Sequence, residues 1–178
     1  IANRTPRIYV GGNAGMLHGF NALTGVEEFA FIPSAVFPKL HKLTGSNYSH
    51  EFYVDGSPVV GDVYDSATRQ WRTILVGTLK AGGKSIFALD VTTPGSEKLL
   101  WQFDENSIAT ANAAKMGYSY SQPTIARLHN GKWAVVFGNG YESAGNTNGK
   151  AALFILDAMQ GTLLRSLEVQ ATAGLANG

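Results

Sequence analysis

The chain has 178 residues, of which 44% are hydrophobic and 15% charged, and its formal net charge is +1. This size and composition suit one globular domain with a core, and the near-neutral charge excludes the basic surface that binds nucleic acid. The absence of cysteine excludes disulfides and thiolate metal sites, and no apolar run approaches the roughly 20 residues of a membrane span.

The residue composition is typical of short strands joined by tight turns. The chain contains 21 glycines, and its β-branched and aromatic residues occur in short clusters. We therefore expect an all-β fold. Because the chain starts at Ile1 with no initiator methionine or signal pattern, we also expect it to be a segment of a longer protein.

Three segments of the chain repeat one pattern. Each has an apolar run ending in glycine, a second apolar run ending in Asn or Asp, and a third apolar run after another glycine. The last residues of the second runs, Asn21, Asp90 and Asp157, lie 69 and 67 residues apart. Such a regular spacing predicts a repeat architecture with one structural unit per repeat.

A further strand precedes the second and third units. Pro58 and Pro123 lie 65 residues apart, and each opens an apolar run. A proline is tolerated at the start of a strand, where its missing N–H is least needed. Four short antiparallel strands per unit are the blade of a β-propeller. We therefore predict a partial β-propeller with quinoprotein-like blades and about eleven strands in under three blades.

Each repeat also predicts one tight turn. An Asn or Asp side chain that accepts backbone N–H bonds, followed by a glycine, closes such a turn. A residue type that recurs in every unit is expected to serve the unit, so we interpret these residues as structural and not catalytic. The predicted blade-turn residues are Asn21, Gly25, Asp90, Gly95, Asp157 and Gly161.

The whole chain, 1–178, is read as a fragment of one propeller domain. We divide it into a partial blade (1–32), an insertion (33–55), a blade (56–103), a loop (104–119), a blade (120–168) and a tail (169–178). The insertion is expected to contain a short helix after Pro33, and the small, polar loop is expected to be mobile. Loops on a rigid scaffold commonly carry the binding function.

Aromatic residues of the insertion are the strongest indication of a contact surface. Tyrosine and phenylalanine are favoured at binding hot spots. The alternative is that they pack between blades. The candidate contact aromatics are Phe37, Tyr48, Phe52 and Tyr53.

Three patterns that resemble ligand sites have simpler interpretations. Gly82-Gly83-Lys84-Ser85 resembles a phosphate-binding loop, but such a loop requires a following helix, and residues 86–91 have the pattern of a strand. Residues 144–149 resemble part of a calcium loop but offer no carboxylate. The four histidines lack the short spacing of a compact metal site. We predict no catalytic, cofactor-binding or metal-binding residue in this chain.

Fewer than three blades cannot close a ring. Propellers typically close with four to eight blades, so an arc of this size is expected to leave two apolar blade faces and some strand edges uncovered. We expect neighbouring blades or other copies of the chain to cover the ends of the arc.

Five stretches of the sequence are more specific than a generic propeller. They resemble the propeller domain of the PilC/PilY family of type IV pilus biogenesis proteins, and they are residues 8–20, 32–35, 53–62, 121–128 and 138–141. The resemblance implies an exported protein of the periplasm and outer cell surface, located at the pilus tip. It further implies a non-catalytic role in pilus biogenesis and adhesion.

The same resemblance implies protein partners: pilins or minor pilins, and host surface receptors. In that family the propeller carries calcium in an Asp-rich loop. This chain has no Asp-x-Asp-x-Asp-Gly loop, so calcium in the full-length protein is expected C-terminal to Gly178 and no cofactor is assigned within the chain.

The alternative is an enzyme, a fragment of a quinone-dependent dehydrogenase propeller, because the turn at Asn21–Gly25 resembles those of quinoprotein blades. Such an enzyme needs acids, amides and a stacking tryptophan at the propeller axis. Here Trp71, Trp101 and Trp133 lie inside the repeated strands or at their rims, which favours the non-enzymatic interpretation.

Overall fold

The computed structural model describes residues 4–108, 116–143 and 151–169, and these residues form three antiparallel sheets. The first sheet has three strands and the other two have four each, with neighbouring strands consecutive along the chain. The predicted all-β partial propeller with eleven strands in under three blades is confirmed.

The strand bounds are as follows. The first sheet contains β1 (Arg7–Gly11), β2 (Leu17–Asn21) and β3 (Glu27–Phe31). The second contains β4 (Val59–Asp65), β5 (Gln70–Thr78), β6 (Ser85–Asp90) and β7 (Lys98–Asp104). The third contains β8 (Thr124–Arg127), β9 (Trp133–Gly138), β10 (Ala152–Asp157) and β11 (Leu163–Glu168). Two strands, β4 and β8, begin immediately after Pro58 and Pro123, as predicted.

The period of two along the strands places the core on both faces of the second sheet. Leu75 and Phe87 pack toward the first sheet and the insertion. Their neighbours Ile74 and Ile86 pack toward the third sheet. There an aromatic cluster of Phe103, Phe137 and Phe154 joins the two sheets, with ring centroids 5.7–6.1 Å apart. The second sheet is therefore the central layer of the arc.

The outer faces of the first and third sheets carry exposed apolar side chains. Ile8 and Val10 are exposed on β1, and Leu153 and Leu167 face each other, also exposed, on β10 and β11. These are the two uncovered blade faces expected of an open arc.

Successive connections alternate between the two ends of the antiparallel strands. We call one end the turn rim, which carries the tight turns after β2, β4, β6, β8 and β10. The other end is the insertion rim, which carries the long connections, including residues 32–58 between β3 and β4. Every predicted blade-turn residue therefore lies on the turn rim, and the insertion lies opposite.

The long connections are held to the core. The insertion contains a 3₁₀ helix, Ser34–Thr44, that follows Pro33 as predicted and buries Val36. In the connection after β7, residues 109–115 lie outside the described part. On either side of this gap, Ile108 and Met116 are buried in the core between the second and third sheets, so the described ends of the expected mobile loop are anchored.

Candidate interaction surfaces

The blade turns are closed by side-chain hydrogen bonds. Asn21 Oδ1 accepts the backbone N–H groups two and three residues later, at 3.0 and 3.3 Å. Asp157 Oδ1 does the same at 3.0 Å for both, and Asp90 Oδ1 accepts the N–H two residues later at 2.9 Å. These oxygens accept hydrogen bonds from their own turns, which is the arrangement of a structural turn.

The glycines of the same turns adopt left-handed backbone conformations. Gly25, Gly95 and Gly161 have φ angles of +73°, +85° and +68°. Only glycine enters this region without a steric cost from Cβ. Gly131, in the Asn130-Gly131 turn, also has a positive φ of +85°. The Asn-Gly pair at 148–149 lies outside the described residues together with the rest of the calcium-like stretch 144–149.

Three of the four candidate contact aromatics are exposed on the insertion rim. Phe37 is 56% exposed, Tyr48 51% and Phe52 43%. The ring of His50 lies between the last two: it meets Phe52 edge to face at 5.1 Å, and its Nδ1 lies 3.3 Å from the Tyr48 hydroxyl. We call Phe37, Tyr48, His50 and Phe52 the insertion surface.

Tyr53 corrects the fourth prediction, because its side chain is fully buried. It packs in the core between the first sheet, the insertion and the second sheet. Its hydroxyl donates to the backbone oxygen of Lys39 at 3.3 Å, and its N–H donates to Asn13 Oδ1 at 3.2 Å. A side chain with no accessible surface cannot touch a partner, so Tyr53 supports the insertion from below.

A lysine fastens the insertion to the second sheet. Lys39 Nζ donates to the backbone oxygens of Phe52, at 2.7 Å, and Gly82, and lies 4.9 Å from the centroid of the Tyr53 ring. Burial lowers the pKa of Lys39, because a charged group loses hydration there. At the surface, Lys42 and Glu51 pair at 2.6 Å. These contacts therefore hold in place the backbone that carries the exposed aromatic rings.

A groove opens on the turn rim between the second and third sheets, with a volume of about 680 Å³. Its aromatic residues are Tyr64, Trp71 and Trp133, with adjacent ring centroids 5.6 and 5.7 Å apart. Its cationic residues are Arg127 and Lys132. We call it the turn-rim groove. Sequence reasoning missed it; the available signal was a tryptophan among the first two residues of the second strand in two successive units.

A metal site of three or more clustered His, Asp or Glu side chains is absent from the part of the chain that the structure describes. Within residues 4–108, 116–143 and 151–169, no three His, Asp or Glu side chains lie close enough to share an ion. The calcium that the family resemblance implies is expected C-terminal to Gly178, and this stays a prediction. No helix among the described residues is long and apolar enough to cross a bilayer. The sequence Gly82–Ser85 leads into β6, not into a helix, so it lacks the geometry of a phosphate-binding loop.

Three consecutive antiparallel sheets packed face to face, with connections alternating between two rims, define a segment of a β-propeller. Residues 1–178 match the family model of the PilY1 beta-propeller domain. The chain belongs to this family.

Similar proteins cover 90–98% of the chain. It is 55% identical over 178 residues to the type IV pilus biogenesis factor PilY1 of Pseudomonas aeruginosa strain UCBPP-PA14, which covers 98% of this chain and 14% of that protein. A PilY1 homolog of Xylella fastidiosa is 47% identical over 160 residues, covering 90% of this chain and 12% of the homolog.

Among solved structures, the C-terminal domain of Pseudomonas aeruginosa PilY1 matches with a TM-score of 0.77 and 50% identity, over 98% of this chain and 32% of that one. The chain thus spans about one seventh of the curated relative from strain UCBPP-PA14.

Proposed function

We propose that this chain is a non-catalytic recognition and assembly segment of a type IV pilus biogenesis factor, exported to the cell surface and acting at the pilus tip. The observation that carries the proposal is the 55% identity to a protein of that name over the whole chain. The alignment covers 98% of the chain, so it includes strands, turns and the insertion.

The insertion surface is the part of this segment that we assign to contacts with protein partners, pilins or host surface receptors. Its exposed aromatic rings offer large, rigid contact area at low entropic cost. Lys39 and Tyr53 hold the support beneath them in place. A fixed aromatic surface on a long connection is the arrangement expected of a binding loop on a rigid scaffold.

The uncovered faces support a second proposed role for the segment, which is to pack against further blades or another copy of the chain. Exposed Ile8 and Val10 on one side and Leu153 and Leu167 on the other would be buried by such neighbours. Burial of apolar area is the main driving force for this kind of packing.

The dehydrogenase alternative finds less support. The repeated acids of the blade turns are occupied by their own backbone N–H groups. Such an enzyme needs an accessible tryptophan to stack on its cofactor, and Trp101 is buried between two blades with its indole N–H bonded to the backbone oxygen of Ala158. Reduction of a dye by the intact protein with added quinone, calcium and an alcohol would revive the enzymatic alternative.

The proposal is tested in a piliated bacterium whose own intact protein carries Phe37→Ala, Tyr48→Ala and Phe52→Ala together. We expect surface piliation or adhesion to host cells to fall by about tenfold, since a few aromatic anchors commonly supply most of a binding energy. The readouts are sheared pili, adherent cell counts and recovery of pilins with the tagged protein.

The matched control is Leu23→Ala, which removes an exposed apolar side chain on the opposite rim. It should leave piliation, adhesion and pilin recovery unchanged. If the triple variant is made and exported at the normal level, and retains all three activities, the insertion surface is not the contact surface. If removal of the whole protein also leaves them unchanged, the proposed function itself is wrong.

A further inference from the structure

From the turn-rim groove we infer that the chain has a second binding site, specific for a saccharide that bears a carboxylate, such as a uronic acid or a sialic acid. The site lies on the rim opposite the insertion surface. It would give the protein a carbohydrate ligand in addition to its protein partners, and it does not depend on the insertion surface.

The aromatic part of the groove is accessible and fixed. Trp71 is 57% exposed and Tyr64 39% exposed. They meet edge to face with centroids 5.6 Å apart, and Trp71 meets Trp133 at 5.7 Å. Trp133 packs in turn against the core between the second and third sheets. An exposed tryptophan held this way offers a rigid apolar surface beside polar groups, as the C–H face of a pyranose ring requires.

The two cationic side chains of the groove lack a carboxylate partner among the described residues. Neither Arg127 nor Lys132 forms a salt bridge with a carboxylate in the part of the chain that the structure describes. The groove also contains Asp65 and Asp157, but their carboxylates accept bonds from the turns that they close. These bonds do not remove the charges of Asp65 and Asp157, so the formal charges of the four groove residues balance. Arg127 Nε donates to the backbone oxygen of Gly131 at 3.4 Å, and the guanidinium is the group of the groove that suits a ligand carboxylate, which it binds through two parallel hydrogen bonds.

The walls of the groove favour a saccharide over an extended peptide. A peptide that binds by strand addition needs free backbone N–H and C=O groups. Here the turn N–H groups are used by Asp65, Asn130 and Asp157. Gln160 lines the groove, and a glutamine side-chain amide has both donors and an acceptor for hydroxyl groups. The volume of about 680 Å³ is within the range of small-molecule sites.

The test uses the intact, purified protein and a panel of oligosaccharides ending in glucuronic or N-acetylneuraminic acid, each with its neutral counterpart. Binding is followed by calorimetry and by intrinsic tryptophan fluorescence. We expect at least a tenfold preference for the acidic member of a pair. We also expect Trp71→Ala to weaken acid binding by at least tenfold, and Arg127→Gln to remove the preference while retaining neutral binding.

The matched control is Tyr120→Ala, which removes an exposed aromatic ring outside the groove and should leave binding unchanged. The inference is overturned if no panel member binds at millimolar concentration, or if Trp71→Ala binds like the unsubstituted protein. It is also overturned if an acidic peptide binds in the groove and the saccharides do not. Failure here leaves the insertion-surface result untouched, because the two sets of variants share no residue.

Discussion

The indole ring of Trp101 lies directly against Gly161, where a Cβ atom would come within 2.4 Å of the ring. Trp101 belongs to β7 of the second sheet and Gly161 to the turn after β10 of the third. The indole N–H also donates to the backbone oxygen of Ala158 in that turn, at 3.0 Å. One tryptophan thus fastens the turn of the next blade, and Gly161 has two reasons to be glycine.

Substitution at Gly161 separates these two reasons. The matched control is Gly25, which has nearly the same φ, the same hydrogen bond to the residue four positions earlier, and no atom within 4 Å of its Cβ position. Gly25→Ala should lower the free energy of unfolding by about 1–2 kcal/mol through backbone strain alone. Gly161→Ala should lower it by a further amount of about 1–3 kcal/mol through overpacking against Trp101.

Urea unfolding of the purified propeller measures both values. Equal losses for the two variants would show that the Trp101 ring moves away without cost, contrary to the expectation of a tight inter-blade contact.

A buried serine joins two long connections of the insertion rim. Ser119 Oγ accepts the N–H groups of Leu79 and Lys80, at 3.0 and 3.2 Å, and donates to the backbone oxygen of Ser85 at 2.9 Å. Ser119→Ala should lower the free energy of unfolding by about 1–3 kcal/mol, since the backbone groups bonded to Ser119 lose their partner.

Hydrogen exchange at the Leu79 and Lys80 amides should accelerate in this variant, and urea unfolding gives the accompanying loss. Ser96→Ala, at an exposed position of another turn, is the control and should change neither quantity. Unchanged exchange at Leu79 and Lys80 would mean that water replaces the hydroxyl.

Tyr9 is expected to make the free energy of unfolding depend on pH in the alkaline range. Burial first, and then the charge and hydrogen bond of Glu97, raise the pKa of Tyr9 to about 12; the hydroxyl donates to Glu97 Oε1 at 3.1 Å. A raised pKa favours the neutral tyrosine in the folded state. The stabilisation that the neutral Tyr9 gives the folded state is therefore complete below pH 10. It is lost as the pH rises from about 10 to about 12.

Tyr9→Phe should lower stability near neutral pH by about 1 kcal/mol, and the gap to the unsubstituted protein should close between pH 10 and 12. The measurement is urea unfolding across this range. Phe29→Leu is the control, because Phe29 packs against Tyr9 at 6.4 Å and does not titrate. A gap that stays constant with pH for Tyr9→Phe would contradict the assignment.

Lys39 is expected to keep the insertion (33–55) folded against the second sheet. Lys39→Met keeps the aliphatic length but removes the bonds to the backbone oxygens of Phe52 and Gly82. The exposed oxygen of Phe52 and the part-buried oxygen of Gly82 then lose a charged donor. We expect chymotrypsin to cleave within 33–55 several-fold faster, measured by timed digestion and mass spectrometry.

Lys42→Met provides the comparison, since it removes only a surface ion pair with Glu51, of the kind that contributes little. Equal cleavage rates in the two variants would show that the contacts of Lys39 do not hold the insertion.

The amino-acid sequence by itself determined the repeating unit of this protein. Alternation along the strands placed Ile74 and Leu75 on opposite faces, prolines marked the starts of β4 and β8, and Asn or Asp with a following glycine predicted the turns. These features follow from local chemistry: a side-chain period of two, a missing N–H, and an oxygen within reach of its own backbone. Each can be recognised within about ten residues of sequence.

Only the tertiary structure decided which residues of different blades meet. Tyr53 was expected at the surface and is buried, while Phe52 beside it is exposed. Trp71 and Trp133 contact each other across 62 residues of sequence and form a groove that the pattern did not predict. Such contacts depend on the twist and spacing of whole sheets, and a local repeat carries no information about the angle at which one blade packs on the next.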